Sequence, residues 1–252
     1  MVWLAVAFCL TALLYASVGF GGGSTYSALL ALAQVDYRLL PAISLACNIL
    51  VVTGGTVRFA RAGILPWRRA GVLVLLAAPA AFLGGLTPVD ETTFFVMLGT
   101  ALSIAGLMLL MPAGGEVLAA GGSRASKYVP IAAAPLGYVA GLVGIGGGIF
   151  LAPLLHLTRW DDGRAIAATA SLFILVNSLF GLTGQIVKGG IETIADAAAL
   201  GWPLMAAVVV GGHVGTLLAI KVLPLQYLRR VTAVLTIYVG LKLLWDHLPA
   251  IG

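Results

Sequence analysis

The residues with the clearest chemical meaning are two glycine clusters. Val18–Gly23 reads VGFGGG and Val143–Gly148 reads VGIGGG, half a chain apart. Glycine turns expose backbone N–H groups without side-chain obstruction, and a helix that starts at such a turn presents its positive end. Helices starting near Ser24 and Ile149 would therefore offer an oxyanion a site built without a charged side chain. The candidate ligating positions are Gly19, Gly21, Gly22 and Gly23, with Ser24 and Thr25 as hydroxyl donors, and Gly144, Gly146, Gly147 and Gly148. Asn48 and Asn177, one on each apolar stretch after a cluster, add amide groups that are costly to bury unpaired. His213, in the middle of another apolar run, is the candidate for moving a proton in a coupled cycle.

These groups must be held by elements of an unusual kind. Of 252 residues 61% are hydrophobic and 9% charged, against about 25% charged in a soluble domain. The charges separate apolar runs at 1–35, 39–57, 70–89, 92–115, 128–158, 165–187, 197–220 and 231–241. A helix crosses the hydrocarbon in about 20 apolar residues, so these runs predict a polytopic all-α membrane protein; a β-barrel would alternate in segments of about 10. The net charge of +5 then reads as bilayer orientation, and no nucleic acid is expected as a partner. Met1–Tyr15 lacks the basic start of a secretion signal and reads as part of the mature chain. Cys9 and Cys47 lie apart in apolar runs, and neither a metal nor a cofactor is expected. Trp3, Trp67, Trp160, Trp202 and Trp245 read as anchors at the bilayer surface.

The two runs that hold the glycines have the wrong length. At about 35 and 31 residues they would form helices of about 52 and 46 Å, too long for one span and too short for two. Four glycines in five positions cost a helix about 4 kcal/mol relative to alanine, so each run should break at its cluster and return to the face it came from.

Charge supports that reading. With two such hairpins, Arg58, Arg61, Arg68, Arg69, Arg124, Lys127, Arg159, Arg164, Lys221, Arg229 and Arg230 share one face, and Arg38, Lys188 and Lys242 the other. The positive-inside tendency makes the first face cytoplasmic and puts both termini outside, in the cell (inner) membrane.

The halves also match downstream. Each cluster is followed by an apolar stretch, by Asp-x-Arg (Asp36 and Arg38; Asp162 and Arg164), and by Ser-Leu and an Asn (Ser44, Leu45, Asn48; Ser171, Leu172, Asn177). The expected organisation is a first repeat at 1–112 (hairpin 1–36, spans near 39–57, 70–89 and 92–111) and a linker at 113–127. The second repeat follows at 128–252 (hairpin 128–158, spans near 165–187, 197–220 and 228–245). Three crossings per half make the repeats inverted, an architecture of secondary transporters.

VGFGGG, VGIGGGIFLAP and the ATASLFILVNSLFG ending at Gly181 resemble the sulfite exporter TauE/SafE family of membrane permeases, over nearly the whole chain. The second-half motif is the more specific; ISLACNILVVTGG at 43–55 is a looser copy. The resemblance implies transport of sulfite, thiosulfate, sulfoacetate or a related anion, with the glycines of both clusters, Asn177 and Asn48 at the site. The residues themselves leave room for a cation or unrelated small solute, because a broken helix also frees carbonyls. The absence of Asp and Glu from the spans favours the anion. An intramembrane hydrolase is the remote alternative: no Gly-x-Ser-x-Gly elbow is present, and Ile149 stands where the second half would need a counterpart of Ser24. The expectation is a transporter rather than an enzyme, with a small anion and the lipid bilayer as its partners.

Overall fold

The structure is a computed structural model that describes residues 1–18, 21–110, 127–218 and 225–248, with the side chains of 17–18, 216–218 and 225–229 left out of the description. Gly19 and the linker through 126 lie outside the described residues. The described elements are helical: α1 (Val2–Val18), α2 (Gly23–Leu32), α3 (Leu40–Arg61), α4 (Trp67–Leu86), α5 (Glu91–Leu110), α6 (Val129–Val143), α7 (Gly148–Leu157), α8 (Gly163–Leu218) and α9 (Leu225–His247). By length and composition α3, α4, α5 and α8 can each cross a membrane.

The chain turns back at both glycine clusters. Phe8 of α1 stacks on Tyr26 of α2 with ring centroids 4.6 Å apart, whereas a continuous helix would separate these positions by about 27 Å. In the second half Val129 and Ala133 of α6 share a core cluster with Leu151 and Leu155 of α7. The break is written in backbone angles at Gly144 (φ 80°) and Gly147 (φ 81°), a left-handed conformation that strains any residue with a Cβ. The N–H groups of Gly144 and Ile145 both donate to Ala140 O, closing α6.

One break differs from expectation. The charged segment 188–196 reads as a loop between two spans, but helix continues to Gly189 and resumes at Ile191. Gly190 alone (φ 69°, ψ −176°) interrupts it, in a conformation essentially reserved for glycine. Glu192 and Asp196 lie in α8 beyond the break, among alanines that favour helix.

The repeated Asp-x-Arg has the same job twice. Asp36 Oδ1 accepts from Arg38 N at 2.9 Å before α3, and Asp162 Oδ1 accepts from Arg164 N at 2.8 Å and Ala165 N at 2.9 Å at the start of α8. Both order the chain at the start of a helix that carries an Asn, Asn48 on α3 and Asn177 on α8.

Helices meet across the halves through glycine. Gly137 and Gly141 of α6 lie against Ala77 and Ala81 of α4, and Gly211 and Gly215 of α8 lie against Cys9 and Leu13 of α1, so each pair runs parallel. Gly99 faces Gly240, and Gly106 faces Thr236 and Ile237, so α5 and α9 run antiparallel. The limb 163–189 runs antiparallel to α3, with Thr56 paired to Ser171 and Asn48 level with Ser178, both beside Gly146. In a bilayer such close backbone approach supplies dispersion contacts where the hydrophobic effect supplies little.

Trp3, Trp67, Trp202 and Trp245 are exposed. Trp160 is not an anchor: it is 5% exposed, with the Arg69 guanidinium 4.1 Å from its ring centroid. That stacking, available to a tryptophan in a folded-in loop, outcompetes a place at the lipid surface.

Candidate functional site

The two glycine turns meet. Gly23 packs directly against Ile145 O, and Asn48 is wedged between the turns: a methyl at Gly21 would come within 2.6 Å of Asn48 Oδ1, and one at Gly146 within 2.8 Å of Asn48 Nδ2. Only hydrogen fits where the turns and this amide converge.

Three hydroxyl and amide groups tie the turns together. Asn48 Nδ2 donates to Ile145 O at 3.3 Å. Ser44, one helical turn earlier on α3, has its Oγ 2.8 Å from Gly144 O and 3.1 Å from Gly23 O, so its single proton can serve a carbonyl of either turn. Ser27 of α2 donates to Ser44 Oγ at 3.0 Å. Two carbonyls of the second turn, Gly144 O and Ile145 O, thus face side-chain donors. The first turns of α2 and α7, by contrast, have no side-chain cap at Gly22 or Gly147 among the described residues, and the ends of such helices attract an acceptor from elsewhere.

A second set of polar atoms has no protein partner among the described residues: Asn48 Oδ1, both amide atoms of Asn177, and Ser178 Oγ. Asn48, Asn177 and Ser178 are fully buried. A methyl at Gly147 would lie 3.5 Å from Asn177 Nδ2, and one at Gly146 would lie 3.0 Å from Ser178 Oγ, so these atoms flank the second turn. A buried unpaired polar group costs about 1–3 kcal/mol, so a cluster of them beside the helix starts calls for partners that the described residues do not supply. Ile174 touches the space from one side, against Gly21, Gly146 and Gly148.

Of the positions singled out in the sequence, Gly21, Gly22 and Gly23, Gly144, Gly146, Gly147 and Gly148, Asn48 and Asn177 lie in or beside the two turns, though Gly22 packs on Thr11 and Tyr26. Thr25 instead shares a hydrogen bond with Tyr15 Oη at 3.1 Å, and Tyr15 donates to Thr232 of α9 at 2.8 Å. Ser24 also bonds to the Tyr15 hydroxyl. These two hydroxyls hold α2 against α1 and α9. His213 is exposed on the outer surface of α8. Ser27, Ser44 and Ser178 are the members that sequence reading missed; the available signal was the four-residue step from Ser44 to Asn48 and the adjacency of Ser178 to Asn177.

Comparison with known proteins agrees with this picture of a membrane carrier. Residues 4–243 match the family described as "Sulfite exporter TauE/SafE". A protein of Sinorhizobium fredii described as "Probable membrane transporter protein y4hK" is 33% identical over 245 residues, covering 96% of this chain and 97% of that relative. No solved structure matches.

Proposed function

The chain belongs to the sulfite exporter TauE/SafE family of membrane transporters, and on that premise we propose that it carries a small oxyanion, sulfite or an organosulfur anion, bound between the two glycine turns. It is a multi-pass membrane protein and not an enzyme. The observation that carries the substrate class is the division of polar groups at the turns. The carbonyls of Gly144 and Ile145 face donors on Ser44 and Asn48, while the starts of α2 and α7 have no side-chain cap among the described residues. A cation would need those carbonyls, and an oxyanion needs the N–H groups.

The proposed architecture is two inverted repeats, 1–112 and 128–252. It is supported by the helix directions: α3 and the 163–189 limb are counterparts and run antiparallel, as do α5 and α9. The pairing of α1 with the 191–218 limb is matched by that of α6 with α4. At 10 residues, α2 and α7 each extend about 15 Å, half of a ~30 Å hydrocarbon layer, a length that supports turns near its middle. Rocking of one repeat on the other would expose the turns to each face alternately. The excess of basic residues near Arg69 makes that face cytoplasmic in the inner membrane, with both termini outside.

The test is flux of sulfite, thiosulfate, sulfoacetate, sulfate and acetate into proteoliposomes, with and without a pH gradient. Saturable flux of one sulfur anion is the expected result. Folded protein that moves none of them, but moves a cation, overturns the reading.

A further inference from the structure

On the face opposite Arg69, a cavity of about 430 Å³ opens between the first turns of α3 and both limbs of α8 around Gly190. Its charged lining consists of Arg38 and Lys188, with no Asp or Glu among the lining residues. A neighbouring cavity of about 570 Å³ on the same face is different: Asp36, Glu91 and Asp246 line it together with Lys242 and Arg38. Arg38 thus stands in the wall between a mixed-charge cavity and a purely cationic one.

The inner end of the cationic cavity abuts the second glycine turn. Pro41, in its lining, is the residue that a methyl at Gly144 would strike, at 2.5 Å. Gln185, also in the lining, donates to Gly141 O at 2.9 Å and Leu142 O at 3.2 Å, in the last turn of α6. Ala46 lines the cavity and lies two residues from both Ser44 and Asn48. The antiparallel register of α3 on the 163–189 limb sets Pro41 near Gln185, then Asn48 near Ser178, then Thr56 bonded to Ser171 at 2.9 Å. A seam of polar groups therefore runs from the cavity, past the site, to a hydroxyl pair that closes it.

We propose that this cavity is an anion-loading vestibule for the Asn48 site, in which Arg38 and Lys188 concentrate small oxyanions one helical turn from the glycine turns. The choice of oxyanion as cargo rests on the function proposed above; the attraction of the cavity for anions does not. Lys188 is half-buried, and its Nζ lies 3.5 Å from Thr87 O, so its charge has no carboxylate beside it in the lining. Arg38 keeps Asp36 and Glu91 on its other side, which makes Lys188 the stronger contributor. Low-dielectric walls focus such a field and raise local anion concentration and loading rate by about tenfold or more.

The experiment uses the full chain in proteoliposomes, with Cys9→Ala and Cys47→Ala, and a single new thiol from Ala46→Cys. Labelling rates are measured with a sulfonate-bearing and an ammonium-bearing methanethiosulfonate, each normalised to its rate with a free thiol. A normalised preference for the sulfonate reagent is expected, falling about tenfold on adding Lys188→Gln with Arg38→Gln and retained with Lys188→Arg. A preference unchanged by neutralisation, or a thiol that neither reagent reaches, overturns the vestibule. In the chain with its cysteines intact, Lys188→Gln should raise KM for the transported anion about tenfold, leave kcat unchanged and flatten the dependence of KM on salt; a fall in kcat alone counts against the proposal. Anion-preferring labelling in a protein that moves no oxyanion would sustain the vestibule and overturn the reading of its cargo.

Discussion

At the scale of single residues, the proposed site is marked by buried polar side chains left without partners among the described residues. Asn177 has two fully buried amide atoms with no protein partner among the described residues. Replacing it with Leu, which has the same number of side-chain heavy atoms, removes that desolvation cost, so thermal stability in detergent should be unchanged or higher while anion flux falls at least tenfold. A parallel loss of stability and flux would show that Asn177 is structural. Gly23 gives the complementary case: Gly23→Ala drives a methyl into Ile145 O and the Asn48 amide and should abolish flux, whereas Gly54→Ala, whose methyl would meet nothing within 4 Å, should leave it intact. The two asparagines were legible in the sequence because an amide in an apolar run demands an explanation. The serines were not. Most hydroxyls in such helices bond back to their own carbonyls, as Thr11 does to Ala7, Thr53 to Ile49 and Thr183 to Leu179. Only the four-residue step to Asn48 separates Ser44, which lies within reach of two distant turns, from these. His213 had the opposite fate, since position along a run says nothing about which side of the helix a residue occupies.

At the scale of elements, run length was the informative quantity. Runs too long for one crossing and too short for two pointed to chain reversal at the glycines, and the stacking of Phe8 on Tyr26 is that reversal. Charge was the misleading quantity. Lys188, Glu192 and Asp196 suggested a loop of several residues, yet the chain spends one residue on it. Gly190 is a clean probe of this economy. A Cβ there would meet nothing within 4 Å, so Gly190→Ala tests backbone strain alone and should cost about 1–3 kcal/mol. It should lower the unfolding midpoint measured by fluorescence-detected size exclusion, and an unchanged midpoint would mean that the two limbs relax into another join.

At the scale of the whole molecule, the two faces are closed differently. On the face opposite the vestibule, Arg69 of the first half reaches the loop before α8 in the second. Its guanidinium bonds to Asp161 Oδ2 at 2.8 Å and to Trp160 O at 2.6 Å, and stacks on the Trp160 ring. Arg69 is 47% exposed, so the ion pair itself contributes about 1 kcal/mol or less, enough to change a two-state ratio several-fold. Asp161→Asn should therefore raise the reactivity of a Thr56→Cys thiol toward impermeant reagents added on the Arg69 face by about three- to fivefold. Equal reactivity with and without Asp161 would mean that the clasp does not govern that face.

The short distance between the vestibule and the Thr56–Ser171 pair has an electrical consequence. Asn48 and Thr56 are eight residues apart on α3, about 12 Å along the helix axis. If water fills the vestibule as far as Ala46, the membrane potential drops mainly across that stretch rather than across ~30 Å of hydrocarbon. A monovalent anion crossing it would exchange about 2.3 kcal/mol with a 100 mV potential within two helical turns. Uncoupled flux should then be steeply voltage-dependent, read as a change in proteoliposome flux when a potassium diffusion potential is imposed, and a flat response would mean that a compensating charge travels with the anion.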